Sequence, residues 1–462
     1  MKISEQIATS KMSGLQLRAV ILAIAMVVLD GYDLAVMSFT APFVQKDYGT
    51  NNSLLGLVMS GALIGMFVGS VLVAPLGDRF GRRNLAMAAT ATVMVGMAIG
   101  PIGKDMAVLL ASRIVTGVGI GMLIAIVGVI LAEYTNKRSY PIAMGFSAAS
   151  VNIGAALGAG IIGPMITAAP FATLAYPFGG WRFAFTIGAA LALVTFIGTV
   201  VLFPESITWL AEGRAKDSLP RLNLLLGKMS QPILQELPPT ESAEVNQKGA
   251  IRTVFAPGVR WKTILMVIGY IAFMITFYFV NTWVPKTITA ANPLASGAPN
   301  MTLSAPSTLA TSVGGMIGMV LFGVIALKVN VRPLTTIFVV LGAAGVIWFA
   351  MSGTQVPTAF ILIGVASFFF SAGTSGFYTI VPRLYPTLAR ATGYGIVIGA
   401  GRLGGIAAPI LGGMVLDAGF SIKAAFTIFA MPLLVAGLSV LILHIGSRRK
   451  EVEITHAVPQ PA

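Results

Sequence analysis

Cysteine is absent from this chain of 462 residues, and histidine occurs only twice, at His444 and His456. The first absence removes disulfides, thiolate nucleophiles and thiolate metal sites. The second excludes a histidine proton relay or a histidine metal cluster. Charge is scarce as well. Only 10% of residues are Asp, Glu, Lys or Arg, where soluble domains carry about 25%. No nucleophile–base pair, metal-ligand set or cofactor loop stands out, so an enzyme is not expected, nor a metal, nor an organic cofactor.

What is abundant is apolar. Hydrophobic residues make up 56% of the chain, and the mean hydropathy is +0.88. Runs of spanning length lie near residues 19–44, 53–76, 84–103, 107–132, 142–166 and 182–203, and again near 261–284, 305–327, 333–352, 356–381, 391–416 and 423–445. A bilayer core asks for about 20 residues per helix. The expectation is an all-α membrane protein of twelve helices in two six-helix halves, 1–203 and 261–446. A central loop, 204–260, and a tail, 447–462, complete the domain division. The first run is long enough to span and follows a polar start, so no removable signal peptide is expected.

The net charge is +14. In a soluble protein that would point to nucleic acid. Here the excess falls in alternate loops, which fits basic segments against anionic lipid, with no nucleic-acid partner. The second loop has Arg79, Arg82 and Arg83, the fourth Lys137 and Arg138, and the central loop seven basic residues from Arg214 to Arg260. The opposite loops carry little beyond Lys46, Lys104, Arg182, Lys286 and Lys423. Both termini are therefore expected in the cytoplasm. The central loop reads as a linker with short surface helices.

Two aspartates interrupt the first run, in Asp30-Gly31-Tyr32-Asp33. A carboxylate at the centre of a membrane helix costs about 2.5–3.5 kcal/mol or more. Two on one helical face point to a proton, an ion or a substrate. A second mid-helix charge is Arg402, flanked by glycines in Gly399-Ala400-Gly401-Arg402-Leu403-Gly404-Gly405. A guanidinium offers a planar fork to a carboxylate. Its partner is either a substrate anion, with the glycines leaving room for a flat ligand, or Asp30 or Asp33.

The loop Leu76-Gly77-Asp78-Arg79-Phe80-Gly81-Arg82-Arg83 suits a charge latch built on Asp78, Arg79 and Arg82, or topology control by positive charge alone. It resembles the signature between helices 2 and 3 of the major facilitator superfamily. Ala74 departs from it where glycine is usual. The stretch Gly323 to Arg332 looks like a decayed copy, with Leu327 in place of the aspartate. Arg113 resembles the superfamily's helix-4 arginine, implicated there in proton coupling; the other reading is an arginine snorkelling to water. The nearby Gly117-Val118-Gly119-Ile120-Gly121 has no preceding strand, so it reads as helix packing rather than nucleotide binding. Glu133 is either a gate residue or a member of an ion pair at the inner end of the fourth helix. Pro204-Glu205-Ser206 resembles a superfamily motif with a structural or gating role. Arg390 reads as a topology or gating residue.

Asp30 and Asp33 together with the pattern from Arg390-Ala391-Thr392-Gly393 to Gly401-Arg402-Leu403-Gly404 are similar to the aromatic acid:proton symporter family. That likeness covers nearly the whole chain. It implies uptake of a hydroxybenzoate-type acid across a bacterial cytoplasmic membrane, with the proton as coupling ion. Asp30, Asp33 and Arg113 would handle the proton, Arg402 the carboxylate, and Asp78 the gate. Tyr278, Trp283 and Phe377 are candidates to stack on the ring, and Tyr32 and Asn152 to meet a ring hydroxyl. Neutralising the aspartates would free Arg402 for substrate. A single chain of two halves is expected to work as a monomer. Three other readings stay open: proton-coupled efflux, because Gly163-Pro164 partly matches an exporter motif; transport of a non-aromatic anion; and a membrane sensor.

Overall fold

The computed structural model describes residues 3–238, 247–352, 355–386 and 389–457. Among these residues the chain is helical, with no strand. Twelve helices are long and apolar enough to cross a membrane. We number them α1 Gly14–Tyr48, α2 Asn52–Val73, α3 Arg82–Ile102, α4 Met106–Tyr134, α5 Ile142–Met165, α6 Trp181–Leu202, α7 Arg260–Ala291, α8 Met301–Ile325, α9 Val331–Ser352, α10 Thr358–Leu384, α11 Arg390–Asp417 and α12 Ile422–Gly446. Each matches one hydrophobic run read from the sequence. Proline sits inside several of them, at Pro42, Pro285 and Pro409 among others, as helices in a low-dielectric setting tolerate when neighbours satisfy the backbone.

Helix ends follow their local chemistry. Ser13 and Gln16 form a reciprocal capping box at the start of α1. Asp105 accepts from the Val108 N–H at 2.8 Å to open α4.

The chain divides into two compact units. One comprises Met1–Thr50, Leu57–Ser242 and Ser304–Leu309; the other comprises Asn51–Gly56, Ala243–Leu303 and Ala310–Ala462. In the first unit, glycines bring helices to backbone contact. A Cβ on Gly31 would lie 1.9 Å from the Val151 carbonyl oxygen, and one on Gly154 would lie 2.0 Å from that of Val28. This seam joins α1 to α5. The Gly-x-Gly-x-Gly run of α4 works the same way: Gly117 and Gly121 face the carbonyls of Ala62 and Met66 in α2. Small residues at such crossings are the usual means of close helix approach in membranes.

The central loop is more than a linker. Its first part folds into helices Ile207–Ala211 and Ser218–Lys228. Trp209, Leu210, Leu222 and Leu226 bury their side chains there, so this part belongs to the first unit. The leucine spacing makes the second helix amphipathic, which is why it packs instead of dangling. A third helix, Gln247–Val254, precedes α7. Residues 239–246 of the loop and 458–462 of the tail lie outside the described residues. The second unit includes Asn51–Gly56, the first turn of α2. There Asp417, at the end of α11, accepts from the N–H and side chain of both Asn52 and Ser53, at 2.5–3.0 Å.

Candidate functional site

In the first unit the charged centre is built from α1 and α4. Asp33 has no exposed surface and Arg113 is 1% exposed. Their contact is a fork: Nη1 to Oδ1 at 2.5 Å and Nη2 to Oδ2 at 2.9 Å, with Nη2 also reaching the Asp33 carbonyl at 3.2 Å. Arg113 therefore does not snorkel. A buried pair of this kind costs desolvation on both sides and survives because the geometry is bidentate. The guanidinium also lies 5.9 Å from the Phe185 ring centre. Asp30, one turn before Asp33, is buried too.

Tyr32 donates its hydroxyl to the Ala184 carbonyl at 2.6 Å, and its ring fills the space left by Gly158 and Gly188. Its polar end is thus committed to α6 in this conformation. Asn152 is half-buried on α5, one residue beyond Val151.

The second unit is arranged differently. Arg402 lies in the middle of α11, half-buried, and makes no hydrogen bond, ion pair or ring contact among the described residues. Asp33, one of the two partners considered from sequence, is taken by Arg113. The glycines beside Arg402 do not open a hollow, contrary to the reading from sequence. A Cβ on Gly401 would meet the Tyr270 ring at 2.3 Å, one on Gly404 the Ile271 carbonyl at 2.3 Å, and one on Gly405 the Tyr278 ring at 2.8 Å. They let α7 pack against α11. Only Gly399 of this set faces open space, with nothing within 4 Å. It stands one turn before Arg402, on the same helical face.

Aromatic residues cluster in this unit. Phe377 packs on Tyr270 and Phe273, with ring centres at 5.1 and 5.4 Å. Phe277 meets Tyr278 edge-on at 5.4 Å. Phe377 and Trp283 are fully buried. The indole N–H of Trp283 has no acceptor among the described residues, and the Lys286 ammonium lies 5.2 Å above its ring. Beyond the end of α10, Tyr385 is buried and its hydroxyl meets the Thr263 hydroxyl at 3.1 Å. Burial pushes this phenol up, and the hydrogen bond draws it partly back.

The loop residues take distinct roles. Asp78 and Arg82 form an exposed i,i+4 ion pair at 3.1 Å. Arg79 is exposed, 5.3 Å from the Phe80 ring centre. Arg390 is exposed at the start of α11. In the corresponding place of the second unit Leu327 is 85% exposed and no carboxylate stands there.

Among the described residues Glu133 makes no ion pair. It accepts from Ser206 Oγ, the Ile207 N–H at 2.8 Å and Thr208 Oγ1, capping Ile207–Ala211. Glu205 is the residue that sequence reasoning undervalued. One of its oxygens accepts from the N–H groups of Arg82, Arg83 and Ser206 at 2.8–3.0 Å. It holds the start of α3, where Gly81 adopts φ +93° and a Cβ would strike the carboxylate at 2.5 Å. The Pro-Glu-Ser triplet was its signal. Asp417 and the Asp47–Arg182 pair at 2.7 Å carried no signal of their own.

Twelve apolar helices mark a multi-pass membrane protein, and two of them share a buried pair of opposite charges. The model of the Major Facilitator Superfamily matches residues 23–298 and 287–460, so the chain belongs to that superfamily. Similar proteins include the gallate transporter of Pseudomonas putida, 27% identical over 91% of this chain and 90% of that protein. The 4-hydroxybenzoate transporter PcaK of the same species is 28% identical, over 93% of each. The benzoate transport protein of Acinetobacter baylyi is 27% identical, over 90% of this chain and 86% of that protein. Among solved structures, the inward open xylose transporter XylE from E. coli superposes with a TM-score of 0.69 at 18% identity, covering 92% of this chain and 96% of that one. This second likeness concerns the fold.

Proposed function

We propose that this protein is a proton-coupled importer of a hydroxybenzoate-type aromatic carboxylic acid, working by alternating access. The observation that carries the reading is Arg402, a mid-helix guanidinium with no protein partner among the described residues. A cation in the bilayer interior needs an anion, and a substrate carboxylate matches its planar fork. Rings such as Tyr278 in the same unit suit an aromatic body. The relatives named for gallate, 4-hydroxybenzoate and benzoate support the choice of an aromatic acid over an aliphatic one.

The proton site in this reading is the Asp33–Arg113 pair with Asp30 beside it. The pairing revises the scheme expected from sequence. Protonation of Asp33 releases Arg113, not Arg402, and the loosened α1–α4 contact is the step that couples proton to carrier. Asp78, Arg79, Arg82 and Arg390 serve the gate. The proton is the coupling ion and no cofactor is required. The chain sits in a bacterial inner membrane as a monomer with both termini in the cytoplasm.

The test is uptake of a labelled panel of benzoate-type acids by cells expressing the protein, with and without a protonophore. Concentrative uptake of one acid, lost with the protonophore and in Arg402→Ala, is the expected result. Absence of uptake for every member, in protein shown to reach the membrane, overturns it. Resistance to expelled compounds would then indicate efflux, and competition by aliphatic acids a non-aromatic anion.

A further inference from the structure

A cleft in the first unit is separate from the buried charges and has no role in the transport scheme. Its volume is about 940 Å³. It opens where α1 begins and α6 ends, beneath the amphipathic helix Ser218–Lys228. Four cations line it: Arg18, Arg83, Arg221 and Lys228. Arg18, Arg221 and Lys228 make no ion pair among the described residues. Arg83 gives one Nη to the Val200 carbonyl at 2.6 Å. The one carboxylate on the wall, Glu205, has an oxygen already engaged by three backbone N–H groups. The cleft therefore holds an uncompensated positive charge.

The other walls are apolar and continue outward. Leu224 is 58% exposed and Val201 is 68% exposed. From Val201 an exposed stripe runs back along α6 through Ile197 and Val194, at the i, i+4 and i, i+7 spacing of one helical face. Cations at the end of a spanning helix, above an apolar track running down that helix, match a headgroup phosphate with an acyl chain below it. A free phosphate ion would use the cations and leave the track idle.

We infer that this cleft is a binding site for an anionic phospholipid, whose phosphodiester lies among Arg18, Arg221 and Lys228 and whose acyl chain follows Val201, Ile197 and Val194. The ligand tethers helix Ser218–Lys228 to the ends of α1 and α6. The site does not depend on which substrate is carried.

The experiment is native mass spectrometry of the full chain, purified and then exchanged into mixed micelles with phosphatidylglycerol or with phosphatidylcholine. The wild-type protein retains phosphatidylglycerol at one-to-one stoichiometry and sheds phosphatidylcholine. Each cation near an anionic headgroup is worth roughly fivefold in binding, so Arg18→Gln, Arg221→Gln and Lys228→Gln combined lower retention by about a hundredfold. A control with Arg138→Gln, Lys328→Gln and Arg332→Gln removes the same charge elsewhere and keeps the lipid. Melting temperatures of both triple variants verify that they fold. Equal retention of the two lipids, equal loss in both variants, or displacement by millimolar inorganic phosphate overturns the inference.

Discussion

Arg113 and Arg402 both lie well inside spanning helices, and the protein treats them in opposite ways. Arg113 is sealed, its fork closed on Asp33. Arg402 is half-buried and its fork meets no side chain among the described residues. A sealed pair is expensive to form and more expensive to break from one side, because the survivor is left as a lone buried charge. An unpaired fork has the reverse property, a charge left for a partner to complete. In the proposed scheme this difference separates a site that switches by protonation from a site that switches by occupancy.

Breaking the sealed pair should give the largest effect. Asp33→Asn leaves Arg113 unmatched and should lower stability by about 3–5 kcal/mol, read as a drop in melting temperature of the detergent-solubilised protein. The double change Asp33→Asn with Arg113→Gln removes both charges and should recover most of that stability without recovering proton-driven accumulation. Accumulation by the double variant would remove the pair from the coupling scheme. Arg402→Ala should leave the melting temperature in place and reduce substrate affinity roughly tenfold to a hundredfold, the worth of a hydrogen bond to a charged group. Arg402→Lys keeps the charge and loses the fork, so it should fall between. A melting loss as large as that of Asp33→Asn would mean that Arg402 is structural.

The neighbours of Arg402 sharpen the contrast. Gly401→Ala drives a Cβ into Tyr270 and should cost about 1–3 kcal/mol of stability by overpacking. Gly399→Ala enters open space and should cost no stability while changing which ring substituents are accepted in uptake competition. The smallest effect belongs to Asp78. Its ion pair with Arg82 is exposed, so Asp78→Asn should change stability by no more than about 0.5 kcal/mol. A fall in transport rate at unchanged melting temperature would then isolate its part in gating.

The twelve helices were legible because apolar runs of spanning length have few other solutions. Asp30, Asp33 and Arg402 were legible for the same reason: a charge inside such a run stands out. Their partners were not. Asp33 and Arg113 are 80 residues apart, and nothing in the local pattern says which arginine meets which carboxylate. Gly401 and Gly404 read as space, because a sequence records a missing side chain and not the neighbour that moves into the gap. Glu133 read as a gate residue or a member of an ion pair, but its donors are one N–H and two hydroxyls at the start of a short helix that only the fold brings beside it.

The seam between α1 and α5 has a mechanical consequence. Where Gly31 and Gly154 press on the carbonyls of Val151 and Val28, backbone lies on backbone, with no layer of side chains to shear or repack. The two helices can only travel as one rod. Asp30 and Asp33 belong to the α1 part of it and Asn152 to the α5 part, so the spacing from the carboxylates to that amide is a fixed gauge in every state that keeps the seam.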